Sequence, residues 1–180
     1  MTRAHLSPAL RAGTLILAAA LVSTSAASAP AKQGAARMTL LQPLTLTYDS
    51  DLAFGRLHTD NGHGSGTVTV KPGPTPTRTA VNAHITPGGA FGPAITTVRG
   101  EPGRLYRVTL PSGVKAAPGA HPVGAFTVWS ALRGDVTTSG VGQIGPDGKD
   151  TIRIGGTVTL PPGTKVQIFH AEPAITVSYE

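Results

Sequence analysis

The sequence predicts an all-β protein, a single antiparallel domain built as a sandwich or barrel. Three observations carry this. Apolar and polar residues alternate in about ten short runs, with turn signals about every 8–12 residues, as in small β domains. Gly (23) and Pro (16) are abundant and fall between those runs, where turns belong. No stretch carries apolar residues at helical spacing.

The chain has 180 residues, 39% hydrophobic and 13% charged, which suits one packed core and not a charge-rich disordered chain. It has no cysteine, which excludes disulfides, thiol catalysis and thiolate metal sites. The formal charge is +6, with Lys and Arg scattered singly and one Trp. That is a mildly basic surface, and no nucleic-acid partner is expected.

Residues 1–31 read as a secretory signal that is cleaved. Arg3, His5 and Arg11 form a basic start, an apolar centre runs from Ala12 to Val22, and small residues follow. The apolar run is too short for a bilayer core that takes about 20 residues. No membrane span is therefore expected in the mature chain, and its location is expected to be periplasm, cell surface or medium. Residues 32–38 read as a flexible mature N-terminus and 39–180 as the β domain.

Within that domain, Leu40, Leu44, Leu46 and Tyr48 mark a first strand, and Pro43 assigns it to an edge. Asp49-Ser50-Asp51 reads as a turn, and Leu52 and Phe54 as inward residues of a second strand. Residues 58–66 form a Gly-rich polar loop before the strand Thr67-Val68-Thr69-Val70. Pro72, Pro74 and Pro76 stiffen the next connection, and residues 80–85 read as one weak strand. Residues 94–98 and 105–110 are clear strands, followed by one around Phe126, Val128 and Trp129. Pro146-Asp147-Gly148-Lys149-Asp150 is a hairpin turn with Gly148 suited to positive φ. Residues 151–160 form a long strand with a bulge expected at Gly155-Gly156. A short strand at 166–169 precedes the last one, in which Ile175, Val177 and Tyr179 alternate with Thr176 and Ser178. That strand must lie beside chain made much earlier.

Four stretches in order carry a family resemblance. They are Asp51-Leu52-Ala53-Phe54-Gly55; Gly66-Thr67-Val68-Thr69-Val70; residues 103–111; and residues 154–161 followed by Ile175-Thr176-Val177-Ser178-Tyr179. Together they resemble the bacterial secreted domain of unknown function 4402, over roughly residues 40–180. The resemblance implies an immunoglobulin-like antiparallel β-sandwich exported by Gram-negative bacteria, similar to the spore-coat-U and fimbrial-subunit group. It carries over no catalytic residue. Family members have a Gly and an aromatic residue ahead of the closing strand. Pro173 stands in that region here, where a strand residue is expected.

The residues themselves offer little chemistry. His58, Asp60 and His63 share one loop, and imidazole and carboxylate donors suit zinc, copper or nickel. Gly62, Gly64 and Gly66 loosen that loop, so it is expected to be solvated rather than a metal site. Asp49 with Asp51, and Asp147 with Asp150, read as turn residues rather than calcium ligands. Tyr106, Phe126 and Trp129 read as core rather than as a sugar-stacking face. No catalytic residue and no cofactor is expected. The expected function is a non-enzymatic surface or fimbrial-like subunit that associates with itself or related subunits by strand addition. Met38, Leu40, Leu44 and Leu46 are the candidate strand-exchange anchors, unless their segment is simply the domain's own first strand. The alternative is a monomeric binding module for glycan or metal.

Overall fold

A computed structural model describes residues 40–62, 64–136 and 140–180. The expected signal segment, residues 32–39 and His63 lie outside the described residues. The domain is all-β: fourteen strands, every ladder antiparallel, and no helix among the described residues. In chain order they are β1 (Thr45–Ser50), β2 (Leu52–His58), β3 (Gly66–Lys71), β4 (Thr77–Val81), β5 (His84–Ile85), β6 (Ala94–Arg99), β7 (Leu105–Thr109), β8 (Val114–Ala116), β9 (His121–Ser130), β10 (Gly134–Val136), β11 (Val141–Gln143), β12 (Lys149–Leu160), β13 (Gln167–Ala171) and β14 (Thr176–Tyr179).

The 12-residue β12 organises the main sheet. Its first half pairs β6 and its second half pairs β3, end to end along one edge. Along the other edge it pairs β9, which carries β8 and β10 on its far side. β1 closes the sheet beyond β6, and β4 closes it beyond β3. Two three-stranded sheets, β11-β7-β14 and β13-β2-β5, complete the sandwich.

Alternation along the strands makes the core. Ile152, Ile154, Val158 and Leu160 of β12 point inward with Val68 and Val70 of β3 and Phe126 and Val128 of β9. They meet Leu52, Phe54 and Leu57 of β2, Tyr106 and Val108 of β7, and Phe169 of β13 in one continuous cluster.

Several sequence expectations are corrected here. Asp49 and Ser50 are not a turn: β1 runs through Ser50, and only Asp51 separates it from β2, which belongs to a different sheet. The weak strand expected over 80–85 is two strands, broken where Asn82 adopts φ 52°. The bulge expected at Gly155-Gly156 belongs to the facing strand. Between Thr127↔Gly155 and Gly124↔Thr157, β9 has two intervening residues and β12 has one. The extra residue on β9 includes Ala125 at φ 49°. The turn expected over Pro146–Asp150 is shorter, with Gly148 at φ 75° and the Lys149 N–H bonded to Asp147 Oδ1, and it is not a hairpin: Lys149 and Asp150 already belong to β12, and β11 and β12 lie in different sheets. β14 pairs β7, so the chain's last strand does lie beside chain made much earlier. It begins only at Thr176, beyond Pro173.

Candidate functional site

Two regions draw the chemistry-bearing residues together. The first is the flank of the sandwich where β1 and β14 are neighbouring edges. Among the described residues each pairs on one side only, β1 with β6 and β14 with β7. Side chains span the gap. The Tyr179 hydroxyl donates to the Gln42 carbonyl at 2.6 Å and accepts from the Glu101 N–H at 2.7 Å. At the other end the Ile175 N–H donates to the Tyr48 hydroxyl at 3.4 Å. Beside Tyr48 a cavity of about 450 Å³ is lined by Ser50, Asp51, Ala94, Glu172, Pro173 and Ala174. Of the strand-exchange candidates, Leu44 and Leu46 pack against the domain's own core, Leu44 just before β1 and Leu46 on it. Leu40 is 80% exposed, and Met38 lies outside the described residues.

The second region is the open end of the β2–β5 ladder. His58 of β2 and His84 of β5 are cross-strand partners. Their rings stack with centroids 4.8 Å apart and planes 21° from parallel. His84 Nε2 donates to Asp60 Oδ2 at 2.8 Å, and His58 Nδ1 bonds the Thr86 hydroxyl at 3.1 Å. One ligand-type atom from each of His58, Asp60 and His84 falls within 4.8 Å of the others. The structure thus brings together two of the three residues singled out in the loop. His63 lies outside the described residues, and the third member that forms here is His84. The loop's own sequence does not reveal it, because strand pairing and not chain proximity sets His84 opposite His58.

A third polar group is sealed off. Asp150 reads as a turn residue in the sequence, yet it is 3% exposed. Its Oδ2 accepts from the Tyr106 and Ser130 hydroxyls, both at 2.7 Å. Burial first, and then the bond to and charge of Asp150, hold the Tyr106 phenol proton on far above the ordinary tyrosine range. Burial closes this carboxylate to any substrate, so the cluster ties β7 to β9 and β12. The signal that would have found it is parity: Asp150, Ile152 and Ile154 share one face of β12. Tyr106 and Phe126 are buried, so neither is open to stack on a sugar. Trp129 lies half-buried under the Arg153 guanidinium, 5.1 Å from its ring centroid.

Fold and site together define an antiparallel β-sandwich module with two neighbouring edges, β1 and β14, whose outer sides no other described strand pairs, and a small histidine–carboxylate cluster at one end. The chain belongs to the family described as a domain of unknown function (DUF4402), whose sequence model matches residues 44–179. No curated protein and no solved structure matches the chain. No helix among the described residues is long and apolar enough to cross a membrane.

Proposed function

We propose that this chain is an exported, non-enzymatic surface or fimbrial-type subunit that associates by strand addition. The observation that carries the reading is the pair of neighbouring edges, β1 and β14, bridged among the described residues by two tyrosine side chains and no backbone ladder. An unpaired edge offers a row of N–H and C=O groups that an extended segment can satisfy. The occupant is the N-terminal segment of a second copy, up to Leu41, with Leu40 and Leu41 exposed to provide apolar anchors and Leu44 left in its own core. Its entry must displace the Tyr48 and Tyr179 bonds. Export is supported by the secretory pattern of residues 1–31.

The test is the assembly state of the mature chain, purified from periplasm or medium, by size-exclusion chromatography with light scattering. The expected result is ladders or filaments that survive mild denaturant. Deleting residues 32–41 is expected to leave a folded monomer. A wild-type chain that stays monomeric at high concentration ends the homopolymer reading. Polymers that persist in the deletion variant rule out this segment as donor.

A further inference from the structure

We propose that His58, Asp60 and His84 form a binding site for one divalent transition-metal ion of the zinc, copper or nickel type. The donor set is two imidazoles and one carboxylate, which suits these ions and not calcium or magnesium. Three features build the site. Strand pairing sets His58 opposite His84, so two ligands come from a ladder and not from a floppy loop. The Thr86 hydroxyl holds His58 Nδ1 at 3.1 Å, an outer partner of the kind that orients metal-ligating imidazoles. His84 Nε2 and Asp60 Oδ2 already converge at 2.8 Å on one proton, the point a metal ion takes over by displacing that proton.

Binding requires the ligand atoms to close together and the stacked His58 and His84 rings to turn toward a common point. Zinc bonds of about 2.0–2.2 Å put tetrahedral ligand atoms about 3.4 Å apart. The widest separation here is within 4.8 Å, and the shortest is 2.8 Å. The side chains of His84 and Asp60 are 55% and 56% exposed, so both can turn to even these out. A surface cavity of about 240 Å³ lined by Asp60, Asn82, Ala83 and His84 leaves room for water or a further ligand in the open position. The structural effect follows from the brevity of β5, which pairs β2 through two residues only. A metal bridging β2, Asp60 and β5 clips that short strand and the start of the 59–65 loop to the sheet. This site is independent of the β1–β14 edge and of whether the chain polymerises.

The experiment uses the untagged mature chain and Zn²⁺ as the probe, with titration calorimetry and thermal unfolding. One ion per chain is expected, with a melting temperature that rises with zinc concentration and stays put in magnesium or calcium. His58→Ala and His84→Ala are each expected to weaken binding by about tenfold or more. Circular dichroism of each zinc-free variant checks that it folds; exposed His84 makes its variant the safer of the two. His121→Ala, on β9, is expected to bind as the wild type does. Failure of zinc to saturate the wild-type chain overturns the proposal, and so does wild-type affinity in either folded His58→Ala or His84→Ala.

Discussion

Gly155→Ala is expected to lower stability by about 3 kcal/mol or more, at the upper end of what overpacking costs. For a domain of this size that is a fall in Tm of about 6–12 °C. A Cβ on Gly155 would lie 2.2 Å from the Val70 carbonyl oxygen and 2.5 Å from Pro72 Cδ. The oxygen cannot retreat easily. Val70 is held on one side by Gly156 of β12 and on the other by Arg78 of β4. Relief therefore requires β3 to move away from β12 at the point where β6 gives way to β3 along its edge. Gly156→Ala is expected to cost less, about 1–3 kcal/mol. Its Cβ would meet Phe126 at 2.9 Å and Leu52 at 3.2 Å, both side chains that can shift. Urea unfolding of both variants checks the order. A Gly155→Ala variant within about 0.5 kcal/mol of wild type, the range of a neutral surface change, would show that β12 does not run against Val70 in this way.

This pair of glycines also shows where sequence reasoning stops. A Gly-Gly step inside a strand signals that something approaches closely or that the ladder is irregular, and both are true here. What the local pattern cannot say is which strand carries the extra residue, since that is a property of the pairing with β9. The strands themselves were legible because alternation and turn chemistry are local. β6 and β7 fall within one residue of the runs expected at 94–98 and 105–110, and β12 covers the expected 151–160 but begins two residues earlier, at Lys149. The histidine cluster was half legible. His58 and Asp60 are close in sequence, but His84 reaches them only through a two-residue ladder with no period of its own. Asp150 was hidden for a different reason. Its neighbours Asp147-Gly148-Lys149 form a genuine turn, and that signal outweighed the parity that carries Asp150 inward. The first strand was legible as an edge from Pro43, while its start was not: Leu40 continues the alternation on paper but stays outside the sheet.

Removing the Asp150 carboxylate is expected to be the other large loss, about 4 kcal/mol for Asp150→Ala. The side chain is the shared acceptor for two buried hydroxyls, Tyr106 Oη and Ser130 Oγ. Each hydroxyl left unpaired costs about 1–3 kcal/mol, and the vacated volume adds to it. Tyr106→Phe keeps the ring and removes one donor, for about 1.5–3 kcal/mol, the range for hydrogen bonds to a charged group. The Asp150→Ala/Tyr106→Phe double variant should then lose less than the sum of the two, because the second change removes a hydroxyl the first has orphaned. Strict additivity would mean that the two groups do not interact. The same pair gives a pH dependence whose sign follows from which state holds the proton. Burial, and then Asp150, raise the Tyr106 phenol pKa in the folded protein. An unfolded tyrosine ionises near about pH 10. Above that point the unfolded chain gives up a proton that the folded chain keeps, so ionisation favours unfolding. Stability from this group is complete below about pH 10 and falls by about 1.4 kcal/mol per pH unit beyond it. In Tyr106→Phe the alkaline limb should be shallower by one proton. Parallel limbs for wild type and variant, in urea unfolding from about pH 8 to about pH 11 that brackets the tyrosine range, would mean that Tyr106 is not the group held protonated by the fold.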